Sequence, residues 1–218
     1  MSLFITFEGL DGAGKSTQFN LLAEHLQRLG HAIRCTREPG GTAIGDQIRH
    51  VLHDVTHTAM TAEAEMLLYA ASRAQLVRQV IRPHLAQGEI VLCDRYVEST
   101  YAYQGYGRQL DMTKLQMLTQ FATEGLRPDL IIYLDLDVSA GLQRKAQVKA
   151  DGGEMNRMDQ QAREFYQRVR DGYLTLAQDD DPTRWLMVDA TASIEAVHRL
   201  ICQRVEILLP LLFRRGQG

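Results

Sequence analysis

The chain has 218 residues, of which 45% are hydrophobic and 23% are charged, a usage typical of one globular domain with a sizeable core. Its formal net charge of −3 argues against a nucleic-acid-binding surface and favours a small-molecule partner. No apolar run reaches the length of a membrane span. The cysteine count of three is odd, and Cys35 and Cys93 lie in apolar, strand-like runs, which predicts buried free thiols in a reducing cytoplasm.

The first predicted element is a strand at residues 3–7, which leads directly into a glycine-rich loop. The loop, residues 9–17, reads GLDGAGKST and matches the phosphate-binding pattern G-x-x-x-x-G-K-[ST]. A helical pattern follows, and Gly30 is placed to end it, so the motif has the strand, loop and helix that it requires. In this setting backbone N–H groups hold phosphate, Lys15 reaches the β- and γ-phosphates, and the Ser16 hydroxyl ligates Mg²⁺.

A second strand, at residues 31–36, runs into a loop of sequence REPGGT at residues 37–42. A proline and two glycines restrict the path of this loop, which should present Arg37 and Glu38 at the carboxyl edge of the sheet. Open α/β sheets bind ligands at that edge. A surface turn with a solvated ion pair is the alternative.

Helical spacing predicts a short helix at residues 44–52 and a long helix at residues 62–85, capped by Thr61 and kinked or restarted at its proline. On the long helix Tyr69 and Arg73 are four residues apart and share a face. A ring that stacks on a flat ligand and a guanidinium that reads its edge could act there as one unit. Helical spacing alone would instead place Tyr69 in the core and Arg73 on the surface.

A third strand, at residues 89–94, is apolar until it ends in Asp94, and Arg95 follows directly. An acid that closes a buried strand beside a phosphate loop is placed to hold Mg²⁺, and Arg95 is placed to bind a second phosphate bidentately. A salt bridge between the two neighbours is the alternative. Residues 99–108 then combine three tyrosines, two glycines and an arginine, which predicts a loop forming one wall of a site for a planar ligand, or merely a packed loop.

The remaining elements continue the alternation. Two more buried strands are predicted, at residues 130–135 and 185–189. A basic helix at residues 138–150 precedes two glycines, which predicts a small mobile lid at about residues 143–157 that closes over phosphates, a solvated helix face being the alternative. Three more helices are predicted: one capped by Asp111 with Phe121 on its apolar stripe, one that buries Ala162 at its start, and one capped by Ser193 and stopped by Pro210.

This order of elements predicts an α/β fold, with a five-stranded parallel sheet flanked by helices in one domain of residues 1–218. The late strand carries no Asn-Lys-x-Asp guanine reader, which argues against a GTPase switch. The phosphate loop also lacks the proline that is usual in adenylate kinases. An enzyme that moves phosphate between two anions is the indicated class.

Four motifs together resemble the thymidylate (dTMP) kinases across nearly the whole chain. They are FEGLDGAGKST at residues 7–17, TREPGGT at residues 36–42, DRY at residues 94–96, and the Ser-Thr and Ala-Tyr-Gln-Gly runs within residues 99–105. The phosphate loop is shared by very many enzymes, but the second and third motifs together are much narrower. The resemblance implies a P-loop kinase that transfers the γ-phosphoryl of Mg·ATP to dTMP, giving dTDP and ADP for dTTP synthesis, as a cytoplasmic homodimer.

The resemblance also implies roles for individual residues. It implies that ATP is bound by Gly9, Leu10, Asp11, Gly12, Ala13, Gly14, Lys15, Ser16 and Thr17, with adenine held loosely near Asp189 and Ala190. It implies that dTMP is bound by Asp11, Arg37, Glu38, Tyr69, Arg73, Arg95, Thr100, Tyr103 and Gln104. It implies catalytic roles for Lys15, Arg95, Asp94, Arg144 and Asp11, and Mg²⁺ ligation by Ser16 and Asp94.

Within that set, Asp11 would contact the 3′-hydroxyl of dTMP and Arg95 its phosphate. Tyr69 would stack on thymine, and Arg73 would read its carbonyl edge. Tyr103 would crowd the 2′ position, so that ribonucleotides fit badly.

The family carries its catalytic arginine either in the phosphate loop or in the lid. Gly12 occupies the loop position, so this chain resembles the lid type. Its lid departs from the pattern, because its central cations are Lys145 and Lys149, with arginines only at Arg144 and Arg157. A lysine does not reproduce a bidentate guanidinium, and we expect Arg144 to contact the transferring phosphoryl group.

Two other functions stay open at this point. One is a kinase of the same fold with a different nucleoside monophosphate as acceptor, which Tyr103 and the pair of Tyr69 and Arg73 argue against. The other is a nucleotide-dependent switch or binding module in which ATP only changes the conformation. Turnover that depends on the acceptor separates all three.

Overall fold

The computed structural model describes residues 2–150 and 157–215, with the side chains of all of these except residues 148–150, 159–160 and 210–215. Within these residues five strands form one sheet: β1 (Leu3–Gly9), β2 (Ile33–Arg37), β3 (Ile90–Asp94), β4 (Leu130–Asp135) and β5 (Trp185–Asp189). They are all parallel, in the order β2-β3-β1-β4-β5. The predicted five-stranded parallel sheet is confirmed.

Helices connect the strands. In chain order they are α1 (Lys15–Arg28), α2 (Ala43–His53), α3 (Ala62–Leu76), α4 (Arg82–Ala86), α5 (Val97–Thr100), α6 (Met112–Thr123), α7 (Val138–Ala150), α8 (Arg163–Asp179) and α9 (Ile194–Arg215). A π-helical run, Val77–Ile81, joins α3 to α4, and another, Tyr101–Gly107, follows α5. Short 3₁₀ turns lie at Arg157–Gln160 and Pro182–Arg184. None of the described helices is both long and apolar enough to cross a lipid bilayer.

The core lies on both faces of the sheet. Leu3, Ile5 and Phe7 of β1 pack on one face with α1 and α9. Phe4 points to the other face, where it packs with Leu76 and its neighbours, and a third cluster lies beneath α8. Because the sheet is covered on both sides, its central strands are apolar along their whole length, and each large side chain buried there contributes about 1.5–3 kcal/mol.

β2 lies at an edge of the sheet and pairs with β3 alone. Cys35 in β2 is exposed, whereas Cys93 in β3 is buried. The prediction of a buried thiol is therefore correct for Cys93 and wrong for Cys35. An edge strand has less cover than a central one, and the sequence alone does not say which strand lies at the edge.

Residues 99–107 are helical, and Arg108 follows in a turn, so most of the predicted loop is helix. They form the end of α5 and the π-helical run Tyr101–Gly107. The run packs closely on α8, where a Cβ at Gly172 would lie 2.6 Å from a ring carbon of Tyr106. Glycine is needed at this contact because the Tyr106 side chain lies directly against the backbone of α8 and leaves no room for a Cβ. The glycines and tyrosines that resembled a loop are the residues that permit this packing.

The predicted helix starts agree with the structure better than the predicted helix ends do. Thr61, Asp111 and Ser193 each accept a hydrogen bond from the backbone N–H three residues later, as their cap assignments predict. The long helix runs without interruption from α3 through the π-helical residues Val77–Ile81 into α4, whose first turn contains Pro83. The change of helix type just before the proline is the only trace of the predicted kink or restart within these described residues. The predicted stop at Pro210 is wrong, because α9 continues to Arg215. A proline removes one backbone hydrogen bond without always ending a helix.

Two predicted core positions are on the surface. Ala162 is exposed because it lies just before α8, at a helix end that faces solvent. Phe121 is 83% exposed on α6, although its spacing fits the apolar stripe of that helix. The prediction of burial is therefore wrong for Ala162, and the position of Phe121 on an apolar stripe does not bury it.

Candidate active site

A cavity of about 520 Å³ lies at the carboxyl ends of β1 and β3. In the sheet, β2 and β3 lie on one side of β1 and β4 and β5 on the other, so the chain connections change direction here. The crevice at such a change of direction is the usual position of a ligand site in an open parallel sheet. The predicted site residues in its lining are Asp11, Gly12, Gly14, Lys15, Ser16, Thr17, Arg37, Glu38, Tyr69, Arg73, Asp94, Arg95, Thr100, Tyr103, Gln104 and Arg144. The predicted residues outside this lining are Gly9, Leu10, Ala13, Asp189 and Ala190.

The phosphate loop joins β1 to α1 in the way its sequence requires. α1 begins at Lys15, within the phosphate-binding motif, so its N-terminus and backbone N–H groups face the cavity. Gly12 has a φ of 83°, and a Cβ there would lie 2.8 Å from the carbonyl oxygen of Gly141 in α7. The loop thus has no room for a side chain at this position, where a loop arginine would otherwise stand.

Lys15 is held by the loop's own backbone. Its Nζ donates to the carbonyl oxygens of Gly9 and Leu10 at 3.1 and 3.0 Å. Burial, together with the nearby Arg95, lowers the pKa of Lys15 to about 8. The ammonium group is therefore preorganised at the mouth of the phosphate loop.

The Asp11 carboxylate lies within ion-pair distance of three cationic side chains. Its Oδ1 accepts a hydrogen bond from Arg95 at 2.7 Å, its Oδ2 accepts one from Lys145 at 2.6 Å, and the Nζ of Lys15 lies 3.8 Å from Oδ1. Burial acts to raise the pKa of Asp11, but the three positive charges outweigh it and hold that pKa far below its usual range. A phosphate entering the cavity competes with this carboxylate for the same cations.

Arg95 has an unusual backbone conformation. It follows β3 with a φ of 70°, and its N–H donates to the carbonyl oxygen of Phe7. Its guanidinium lies over the ring of Tyr103, 5.1 Å from the centroid, and donates to Ser99 Oγ at 3.2 Å. Burial acts to lower the pKa of Arg95, but the surrounding acidic groups raise it well above its usual value. The left-handed conformation costs about 1–2 kcal/mol, which the surrounding contacts must supply.

Glu8 is a buried residue of this site for which the sequence analysis gave no role. Its carboxylate accepts hydrogen bonds from the backbone N–H of Tyr96 at 2.7 Å, from Ser99 Oγ at 2.6 Å and from Tyr173 OH at 2.7 Å. These bonds fix the segment that carries Arg95. An acid inside an otherwise apolar first strand is the signal that could have identified it.

Arg73 is 1% exposed, so the surface position given by helical spacing is wrong. Its Nε donates to Glu38 at 2.7 Å, and its Nη2 donates to Thr100 Oγ1 at 2.8 Å and to the carbonyl oxygen of Tyr96 at 3.1 Å. Its Nη1 is buried and has no hydrogen-bond partner among the described residues. The side chain is thus fixed by three hydrogen bonds, and one of its donors is unpaired within the described part of the chain although the residue lines the cavity.

Two buried carboxylate oxygens in the lining also have no hydrogen-bond partner among the described residues. They are Oε1 of Glu38 and Oδ1 of Asp94. Burial raises the pKa of Glu38 to about 7, against the opposing effect of the Arg73 guanidinium. The exposed Ser16 lines the same cavity, so Ser16 and Asp94 could offer a bound Mg²⁺ oxygen ligands of the kind that it prefers.

Gln104 has a defined amide orientation. Its Nε2 donates to Glu65 Oε1 at 2.8 Å, and Glu65 also binds Arg157 and, at 3.0 Å, Arg108. Burial acts to raise the pKa of Glu65, but its bonds to Arg108 and Arg157 lower it, so the carboxylate is ionised and can only accept hydrogen bonds. This leaves the Oε1 of Gln104 as the amide atom that can accept from a ligand. Glu65 carried no signal in the sequence.

The two arginines of the predicted lid, Arg144 and Arg157, lie in different parts of the structure. Arg144 Nη1 donates to the carbonyl oxygens of Gly12 and Ala190, both at 3.3 Å, and so joins the phosphate loop to the loop after β5. Arg157 is buried, and it donates to the carbonyl oxygen of Leu52 at 3.1 Å as well as to Glu65. Residues 151–156 and the Lys149 side chain lie outside the described residues. Arg157 is therefore part of the wall around Gln104, whereas Arg144 lies at the phosphate loop.

Two of the predicted site residues, Asp189 and Arg37, make hydrogen bonds to side chains close to them in the chain. Asp189 accepts from the backbone N–H and the hydroxyl of Thr191 at 2.8 and 2.7 Å, which fixes the turn after β5. Arg37 is half exposed and donates to Asp46 at 3.0 Å. Tyr69 lines the cavity, and burial together with Glu65 raises its pKa to about 12.

Comparison with known proteins agrees with this geometry. A family model described as Thymidylate kinase matches residues 7–201. The chain is 50% identical to the thymidylate kinase of Roseiflexus sp. (strain RS-1), over 98% of each chain, and 45% identical to that of Geotalea uraniireducens, over 94% of this chain and 97% of the relative. The crystal structure of thymidylate kinase from Ehrlichia chaffeensis superposes with a TM-score of 0.74 and 32% identity, over 94% of this chain and 98% of that chain. The chain belongs to the thymidylate kinase family.

Proposed function

We propose that this protein transfers the γ-phosphoryl group of ATP directly to the phosphate of dTMP, giving dTDP and ADP. Membership of the family supports the reaction. The observation that carries the choice of acceptor is the pair formed by the unpartnered Nη1 of Arg73 and the Oε1 of Gln104, two residues that line the same cavity as the phosphate loop. The two groups are a hydrogen-bond donor and an acceptor held in fixed orientations.

This pair matches the edge of thymine. Thymine offers O4 as an acceptor and N3–H as a donor, so O4 faces Arg73 and N3–H faces Gln104. Cytosine has the opposite pattern, with an amino group at C4 and an unprotonated N3, so it would leave both protein groups unpaired. Tyr69 supplies the ring that stacks on the base, and Tyr103 lies beside Arg95 where it restricts the sugar.

The donor side consists of the phosphate loop and Lys15. The loop N–H groups and the N-terminus of α1 hold the β- and γ-phosphates, and Lys15 leaves its carbonyl contacts to bind them. Ser16 and Asp94 would hold Mg²⁺, which neutralises charge on the β- and γ-oxygens when it is bound. No covalent enzyme intermediate is needed, because the protein acts by positioning and electrostatics.

Arg95 holds the acceptor phosphate. Its guanidinium is already oriented by Ser99 and by the Tyr103 ring, and the phosphate displaces the Asp11 carboxylate from it. Asp11 is then available to the sugar hydroxyl of dTMP. Arg144, next to the phosphate loop, stabilises the charge that develops on the transferring group. Closure of residues 143–157 would exclude water, which would otherwise hydrolyse ATP.

The experiment measures ADP formation from Mg·ATP with dTMP, dUMP, dCMP, UMP, AMP and GMP in parallel, and without an acceptor. Rapid turnover with dTMP, weaker turnover with dUMP and none with dCMP would support the proposal. Turnover with a different monophosphate would contradict the roles given to Arg73 and Gln104. Slow hydrolysis that is indifferent to every acceptor would indicate a nucleotide switch. Arg95→Ala should lower kcat by orders of magnitude, whereas Arg34→Ala, an exposed control on β2, should not.

We also propose that the protein is a homodimer in the cytoplasm. α3 and α6 pack on each other and expose large apolar side chains: Leu67 (54%), Met117 (64%) and Phe121 (83%). A second copy covering this face would bury them. Sedimentation of the full chain should give a dimer, and Phe121→Asp should shift it to a monomer; a monomeric wild-type protein would contradict the proposal. The free thiols, one of them exposed, suit a reducing compartment.

A further inference from the structure

A group of metal-ligating side chains lies between α1 and α9, outside the cavity that binds nucleotides. His25 of α1 and His198 and Cys202 of α9 each bring one ligand atom, and these atoms all lie within 4.8 Å of one another. His198 and Cys202 are four residues apart on α9, so they share one face of that helix. Neither residue type is required for packing two helices together, and an aliphatic side chain would do so at lower cost.

The spacing suits a zinc ion. Zinc binds sulfur at about 2.3 Å and imidazole nitrogen at about 2.0–2.1 Å, which puts neighbouring ligand atoms of a tetrahedron about 3.6 Å apart. The Sγ of Cys202 lies 3.4 Å from Nε2 of His198 and 3.7 Å from Nδ1, so this pair is already at that separation. Imidazole and thiolate select zinc over Mg²⁺, which takes oxygen ligands.

Glu206 orients the third ligand. It lies one further turn along the same face of α9, and its Oε1 is 2.8 Å from Nε2 of His25. With Nε2 donating to this carboxylate, the lone pair of His25 is on Nδ1, where a metal can bind. Histidines that bind a metal usually donate their other ring N–H to a carboxylate or a similar acceptor, which fixes the orientation of the ring.

The group is partly shielded and still accessible. The Cys202 residue is 8% exposed and the His25 side chain 22%, so an ion can enter from solvent, and water can fill the fourth position. His25 lies ten residues after Lys15 on α1, about 15 Å along the helix axis from the phosphate loop. The group is therefore separate from the Ser16 and Asp94 oxygens that suit Mg²⁺.

We propose that His25, His198 and Cys202 bind one Zn²⁺ ion, which cross-links α1 to α9, and that Glu206 acts as a positioning residue for His25. Binding releases the Cys202 proton to solvent, because the thiolate is the ligand. The ion stabilises the folded chain, since the ligands come together only in that state.

The test uses the untagged, metal-stripped full chain titrated with Co²⁺ alone and then with Zn²⁺ alone. Co²⁺ bound to a thiolate gives a charge-transfer absorption, which Zn²⁺ should then remove by displacement. The band should appear in the wild type and in Cys35→Ser, a matched control that removes the exposed thiol. It should be absent in Cys202→Ser and weakened in His25→Gln and His198→Gln. Glu206→Gln should weaken Zn²⁺ binding by about tenfold or more.

Thermal unfolding gives a second readout. Zn²⁺ should raise the melting temperature of the wild type and Cys35→Ser, and it should raise that of His198→Gln by less, because this substitution removes a ligand while changing only a half-buried side chain. Absence of a thiolate band in the wild type would overturn the proposal. A band lost in Cys35→Ser but kept in Cys202→Ser, or equal Zn²⁺ affinity in all variants, would overturn it as well.

Discussion

Replacing Glu65 with glutamine should reduce the ability of the enzyme to distinguish dTMP from dCMP. In the wild type Glu65 accepts a hydrogen bond from Gln104 Nε2 at 2.8 Å, and Arg108 and Arg157 keep its carboxylate ionised. Flipping the Gln104 amide would set its oxygen against a carboxylate oxygen. A glutamine at position 65 removes this restriction, because its amide can pair with either orientation of Gln104.

The size of the effect follows from the bond that a flip would break. A hydrogen bond to a charged group contributes about 1.5–3 kcal/mol, and each 1.4 kcal/mol corresponds to about a factor of ten. The ratio of kcat/KM for dTMP to kcat/KM for dCMP should therefore fall by about ten- to a hundredfold in Glu65→Gln. The variant should also lose up to about 3–5 kcal/mol of stability, because the buried Arg157 and the partly buried Arg108 lose their carboxylate partner and keep only neutral acceptors.

Both substrates should be assayed with the wild type, with Glu65→Gln and with Glu63→Gln. Glu63 is exposed on the same helix, so its substitution makes the same chemical change without touching Gln104. Measurements must be made below the melting temperature of the least stable variant. An unchanged ratio in folded Glu65→Gln, or an equal loss of activity toward both nucleotides, would refute the reasoning, since a purely structural role predicts that result.

Three other perturbations test separate contacts. Because the pKa of Lys15 is about 8, its ammonium is charged below that pH, and kcat/KM for ATP should fall about tenfold per pH unit above it; a flat profile to about pH 9 would be inconsistent. Asp11→Asn removes the carboxylate that Arg95 shares, so inorganic phosphate should bind more tightly in calorimetry, and weaker binding would exclude such competition. Gly172→Ala should cost about 1–3 kcal/mol in thermal unfolding, because its Cβ meets the Tyr106 ring; unchanged stability would argue against that close packing.

The sequence was most informative where one local mechanism needs several residue types together. The phosphate loop is such a case, because strand, glycines, lysine and helix all serve one anion, and residues 9–17 lie where that mechanism requires. The strands were also predictable, since buried parallel strands are continuous apolar runs. The cavity lining followed from the rule that ligands bind at the carboxyl ends of such strands.

Predictions were wrong where distant residues decide the environment. Arg73 looks like a surface residue of its helix, and it is buried because Glu38, 35 positions earlier, pairs with it. Cys35 is exposed because β2 lies at the edge of the sheet, which no local pattern encodes. Glu65 was missed because a glutamate in a helix usually faces water, and its partners come from two other segments.

The left-handed backbone of Arg95 sets folding against turnover at one position. Glycine adopts a φ of 70° without strain, so Arg95→Gly would relieve about 1–2 kcal/mol locally while removing the guanidinium that we assign to the acceptor phosphate. Arg95→Gly also loses the contacts with Asp11, Ser99 and Tyr103, so a library of variants at position 95 sorted by melting temperature should enrich glycine above the other residues that lack a guanidinium. The same library sorted by growth on its dTDP supply should keep arginine, and the two selections together would separate the cost of the backbone conformation from the value of the side chain.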